Sequence, residues 1–159
     1  MTTLDVRLVD ETQWRTWRDI RLRSLQDSPD AFGSTYAREV TFTERDWRGR
    51  LDAPGPAVLV YDHDEPVGMG AGWRYEPGRM RIVAMWTDPR VRGRGVGTQV
   101  LDALVGWARA HDLRPDLCVA EGNPAARAVY ERYGFVATGE TAPLREGSAL
   151  TTSRLVLPD

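Results

Sequence analysis

Lysine is absent from the 159 residues, and all 21 basic side chains are arginine. That absence excludes the phosphate loop that depends on a Gly-Lys-Ser/Thr run. Cysteine occurs once, at Cys118, so no internal disulfide can form. No apolar run approaches the roughly 18 residues that a bilayer span requires. The chain also shows no signal-peptide pattern, and with a lone cysteine this predicts a cytoplasmic protein. A surplus of either charge is missing too, the formal net charge being -2. No overall field therefore draws nucleic acid or an anionic membrane surface, and neither is expected as a partner. Repeats, linkers and low-complexity stretches are lacking, so residues 1–159 read as one domain.

What is present alternates between strand and helix patterns. Val6–Val9 reads as a first strand, with Asp10 as N-cap for a helix from Glu11 to Gln26. Trp14, Trp17 and Leu25 share one face of that helix and are expected in the core. A loop holding Asp30-Ala31-Phe32-Gly33 leads to a second helix near Thr43–Leu51. Three strands follow, at Ala57–Tyr61, Val67–Tyr75 and Arg79–Thr87, joined by Asp62–Glu65 and Glu76-Pro77-Gly78 turns. A helix is predicted over about Val96–His111, with apolar residues recurring at three and four. Leu117–Ala120 reads as a buried parallel strand. Asn123 then caps a helix that begins at Pro124 and ends before Gly134. Phe135–Thr138 and Leu150–Leu157 complete a mixed α/β domain with a central sheet.

Arg92-Gly93-Arg94-Gly95-Val96-Gly97 lies between a strand and the long helix. Alternate glycines let successive N–H groups face one way, and the helix start adds unpaired donors and a positive dipole end. The result is an anion site suited to a pyrophosphate. A tight strand-to-helix turn would have the same sequence. A dinucleotide fingerprint needs G-x-G-x-x-G in the first βα unit, and this loop is G-x-G-x-G after several strands. A second cluster follows, Asn123-x-x-Ala126-x-x-x-Tyr130-x-x-x-Gly134-Phe135.

Arg92-x-x-Gly95-x-Gly97 and the Asn123–Phe135 cluster, in that order and spacing, resemble the Gcn5-related N-acetyltransferase (GNAT) family. The resemblance covers residues 79–138 well and the remainder in outline. It implies the acyl-coenzyme A N-acyltransferase fold: a mostly antiparallel central sheet with a splayed parallel pair, flanked by about four helices. It implies acetyl-CoA as co-substrate, no metal, and direct transfer of acetyl to a primary amine. The pyrophosphate would lie on Arg92, Gly93, Arg94, Gly95, Val96 and Gly97, with the Thr98 hydroxyl as a further donor. The strand ending at Thr87 would carry a bulge, and the backbone of Met85, Trp86 and Thr87 would hold the pantetheine amides and thioester. Asn123 and Ala126 would border the pantetheine arm.

Tyr130 is the expected general acid for the departing thiolate; packing in the core is the other reading of this aromatic. Arg132 resembles a position near the nucleotide phosphate. Family members that acetylate ribosomal-protein N-termini often carry a glutamate where this chain has Cys118, which counts against that subgroup. Cys118 itself reads as inert packing in an apolar strand. Glu39 is the candidate general base, with Glu121 and Glu76 in reserve, although a surface carboxylate is the common alternative. Phe32, Tyr36, Trp47, Trp73 and Tyr75 are candidates to shape an acceptor site for a small cationic amine with an apolar body. An Nα-peptide acceptor, or an acyl-CoA sensor without turnover, stays open beside the small-molecule reading. Edge strands near the C-terminus allow a homodimer.

Overall fold

A computed structural model describes residues 4–159. The chain runs β1 (Leu4–Leu8), α1 (Trp14–Asp27), α2 (Tyr36–Glu39), α3 (Glu44–Asp52), β2 (Ala57–Asp62), β3 (Glu65–Glu76) and β4 (Arg79–Thr87). It continues with α4 (Val96–Ala110), β5 (Arg114–Ala120), α5 (Pro124–Tyr133), β6 (Val136–Pro143) and β7 (Thr151–Val156). Seven strands form one sheet in the order β1-β2-β3-β4-β5-β7-β6. Every neighbouring pair is antiparallel except β4 and β5. The expected mixed α/β fold with one parallel pair is therefore what the chain adopts.

Local chemistry explains the boundaries. Asp10 accepts from Thr12 N–H through its side chain and donates its own N–H to the Gln13 side-chain oxygen, but it opens a 3-10 turn at Glu11–Gln13, and α1 proper begins at Trp14. Thr43 and Asp46 form the same kind of box at α3. The segment expected to be loop before α3 contains the one-turn helix α2, capped by Thr35. Gly134 closes α5 with φ +122°. The last strands differ from expectation at their ends, β6 extending to Pro143 because β7 supplies partners as far as Thr151.

Period-two alternation along β2 divides the core. Val58 and Val60 join α4 and the apolar face of β5, whereas Ala57, Leu59 and Tyr61 join Trp14, Trp17, Ile20 and Trp47 from α1 and α3. The sheet is thus covered on both faces, which is why β2 is apolar from Ala57 to Tyr61. Gly68 and Gly70 on β3 let α4 approach closely: a Cβ at either position would come within 2.4 and 2.5 Å of Val96 and Val100 side-chain carbons.

Candidate active site

The parallel pair is short. Arg79–Ile82 pair with Arg114–Leu117, and beyond Ile82 the two strands diverge. On its other edge β4 carries an extra residue, since Met69 faces Trp86 while Ala71 faces Val83. Ala84 takes φ +58° within that bulge, a conformation unfavourable for a side chain with a Cβ. The bulge and the divergence together leave backbone groups of β4 without a strand partner in mid-sheet. Asp116 marks the point where the strands part. It is fully buried and accepts from Arg81, Arg154 and the Tyr75 hydroxyl. Burial pushes its carboxyl up, but those hydrogen bonds outweigh it and hold it below the usual range.

α4 begins at the mouth of the divergence. Gly95 is its N-cap with φ +80°, and no side chain caps the helix. The first intrahelical bond runs from Gln99 N–H to the Gly95 carbonyl, so the N–H groups of Val96, Gly97 and Thr98 precede it without intrahelical partners. The contrast with α5 is direct, where the Asn123 side chain accepts from Ala126 N–H at 3.3 Å. Asp88 holds the preceding turn through Arg90 N–H at 2.9 Å and the Arg90 and Arg23 guanidinium groups. These bonds, the Arg90 side chain foremost, lower its pKa to about 2.

The divergence opens into a cleft of 730 Å³. Met85, Trp86, Thr87, Arg92, Gly93, Gly95, Val96, Gly97, Thr98, Asn123, Ala126 and Tyr130 all line it, as does Arg132. Residues about 30 positions apart in the sequence, from the loop and from α5, thus share one cavity, together with Phe32 from the α1–α2 segment. Tyr130 is 9% exposed and meets Phe135 edge-on. Burial alone pushes its phenol up to about 12, so it remains protonated at neutral pH. Arg92 donates to the Thr87 carbonyl at 3.0 Å and to Asp27 at 2.9 Å, and Asp27 also accepts from the Trp86 indole at 3.0 Å.

Two of the expected site residues stand apart from the cleft lining. Glu39 is fully buried and does not line the cleft; Arg21 binds it at 3.0 and 3.1 Å, with Arg50 at 3.5 Å. Burial raises its carboxyl, but the Arg21 hydrogen bonds and charge prevail and hold it low. Such a carboxylate is a poor proton acceptor, and Glu39 closes a buried ion pair with Arg21. Arg94 lies outside the cleft lining, paired with Asp62 at 3.1 Å.

Of the acceptor candidates, Trp47 is core and packs edge-on against Phe42. Trp73 is 56% exposed on β3, and Tyr75 bonds Asp116. Cys118 is exposed, because Leu117 and Val119 take the positions facing α4. No carboxylate lines the cleft among the described residues. The same residues contain no cluster of His, Cys, Asp and Glu able to hold a metal, and no helix long and apolar enough to cross a membrane. Sequence reasoning missed Asp116 and Asp27. Asp116 had a signal, a carboxylate inside an apolar strand; Asp27 had none.

Comparison with known proteins gives these features a family. The acetyltransferase (GNAT) family profile matches residues 14–135. Mycothiol acetyltransferase of Corynebacterium glutamicum is 27% identical over 120 residues, 75% of this chain, and the chain spans 40% of that protein's length. A GNAT acetyltransferase from Streptococcus pneumoniae shares the fold with a TM-score of 0.79 at 18% identity, covering 97% of this chain and 98% of its own. An acetyltransferase from Salmonella typhimurium, solved with acetyl-CoA, superposes with a TM-score of 0.78 at 15% identity over 99% of both chains. Ribosomal-protein acetyltransferases also stand among the structural matches. Because the family match runs through both the loop that opens α4 and the helix that carries Tyr130, the chain belongs to the acetyltransferase (GNAT) family.

Proposed function

We propose that this protein is an N-acetyltransferase that moves acetyl from acetyl-CoA directly to a primary amine of a small molecule. One observation carries the reading: the divergence of β4 and β5 unites unpaired amides, a bulged strand and a buried phenol in one cleft. The residues present fit the co-substrate. The N–H groups of Val96, Gly97 and Thr98, the positive end of α4 and the Arg92 guanidinium suit a pyrophosphate. Arg132 adds charge at the same cleft. Unpaired backbone between Val83 and Thr87 offers partners to the pantetheine amides, and Asn123 and Ala126 border the arm. Acetyl-CoA would supply the activated acyl group as a thioester.

Around that thioester the chain's own groups divide the work. A backbone N–H in the β4 bulge stabilises negative charge developing on the carbonyl oxygen. Tyr130, protonated at neutral pH, holds the proton that the departing sulfur requires. With no carboxylate in the lining, the acceptor reacts as its free amine or loses its proton to water. That absence also weighs against a polyamine, whose second cation would have no partner. Phe32, Met85 and Trp86 instead offer an apolar wall.

The test is calorimetric titration with acetyl-CoA, followed by thiol release against small primary amines and an N-terminal peptide. Binding with release for a small amine supports the proposal. Release for the peptide alone replaces it with Nα-acetylation. Binding with no release for any of them makes the domain an acyl-CoA sensor, and no binding overturns the reading of the cleft.

A further inference from the structure

Phe32 lines the cleft from the segment between α1 and α2, and two arginines grip it. The Arg21 guanidinium stands 4.7 Å from the centroid of its ring, and Glu39 fixes that guanidinium with two hydrogen bonds. The Phe32 carbonyl accepts from Arg145 Nη2 at 2.8 Å, and the same nitrogen donates to the Pro29 carbonyl at 2.8 Å. Arg145 belongs to the β6–β7 connection, 113 residues further along the chain. The two connections touch again beside it, where the Leu144 carbonyl would lie 3.2 Å from a Cβ on Gly33.

A second observation singles out the same pair. Three buried side-chain polar atoms lack a hydrogen-bond partner among the described residues, and two of them are Arg21 Nη1 and Arg145 Nε. Folded chains satisfy almost all buried donors. Both arginines are thus committed to this segment, Arg21 through the Phe32 ring and Arg145 through the Pro29 and Phe32 carbonyls.

We infer that Phe32 is the acceptor-selecting wall and that Arg145 is the positioning residue that sets it. The inference rests on the N-acetyltransferase reading and names its acceptor class: amines with a flat apolar body. Ala31, Phe32, Met85 and Trp86 make that part of the lining apolar. A fixed aromatic ring rewards a planar partner and gives nothing to a short aliphatic chain. One Nη2 bridging two carbonyls keeps the ring at a constant height over the cleft. A lysine ammonium can bridge the same two oxygens, whereas a methionine keeps only the apolar stem.

The experiment compares the whole protein with R145M, R145K and F32L. Its readouts are kcat/KM for 2-phenylethylamine and for ethylamine, acetyl-CoA affinity by calorimetry, and amide hydrogen exchange over residues 29–34. In wild type, 2-phenylethylamine is the preferred substrate. R145M and F32L lower that preference by about tenfold or more, the scale of a lost pocket contact. The loss enters through KM for the aromatic amine, with acetyl-CoA affinity unchanged, and R145K restores it. Exchange over residues 29–34 accelerates in R145M and not in R145K. An unchanged preference in R145M, or equal weakening of acetyl-CoA binding, overturns the role of Arg145. Wild type acetylating ethylamine as well as 2-phenylethylamine, or neither, overturns the acceptor class, and the exchange data still decide the clamp. Failure to bind acetyl-CoA at all would instead strike the underlying enzyme reading.

Discussion

Tyr130 shows how one environment sets a residue's chemistry. Its phenol has left water and gained no charged neighbour, so its pKa rises to about 12. It therefore stays a proton donor across the range in which amines lose their protons. Tyr130→Phe should lower kcat by about a hundredfold, the scale of a lost general acid, with acetyl-CoA affinity unchanged by calorimetry. The wild-type pH profile should rise with acceptor deprotonation and show no falling limb up to about pH 10, the ordinary tyrosine value. A falling limb in the neutral range, absent from the Phe variant, would assign Tyr130 a different titration. Glu39 illustrates the opposite case, a carboxylate committed to a cation. Glu39→Gln leaves Arg21 buried with its charge unmatched and should cost about 3 kcal/mol in denaturant unfolding. A stability unchanged by that substitution would remove the ion pair from the fold's support.

At the scale of elements, the site depends on how α4 starts and how β4 is interrupted. Gly95 carries φ +80° at the N-cap, where an open space of 4 Å surrounds its missing Cβ. The strain of a larger residue would thus come from the backbone, and the lost space is that of the anion. Gly95→Val should abolish measurable acetyl-CoA binding by calorimetry while far-ultraviolet circular dichroism keeps its helical signal. Retained affinity would show that the α4 amides do not hold the phosphates. The other interruption is Asp116, whose links to Tyr75, Arg81 and Arg154 tie β3, β4, β5 and β7 together where the parallel pair ends. At the opposite edge β6 has its own irregularity, a register shift between Ala137 and Thr141 with Gly139 at φ +88°. A bulged edge strand is a poor template for a second copy.

For the whole molecule, stability should form a plateau bounded by two titrations. Asp88 is held at about 2 by Arg90, below its unfolded value of 3.8. Its stabilisation is present above the unfolded value and is lost as pH falls from about 4 toward 2. Asp116 and Glu39 are lowered as well and act in the same direction. Tyr130 is raised, so its unfolded form releases a proton first, and stability falls as pH rises from 10 toward about 12. Denaturant midpoints measured across pH should be flat between these flanks, and Asp88→Asn should flatten the acid flank. An acid flank identical in that variant would assign it to other carboxylates.

Fold class, the loop that opens α4 and the helix that carries Tyr130 are all legible in the order of residues along the chain. Those features are local: left-handed glycines, an asparagine cap and a fixed spacing act between residues near one another in the chain. The surroundings of Glu39, Arg94 and Cys118 come instead from long-range packing. Glu39 meets Arg21 across 18 residues, and Arg94 meets Asp62 across 32. Cys118 is exposed because alternation along β5 gives its neighbours to α4. Charge pairing and the face of a strand depend on which distant elements arrive there. The grip of Arg145 on Phe32, across 113 residues, has no trace in local sequence for the same reason.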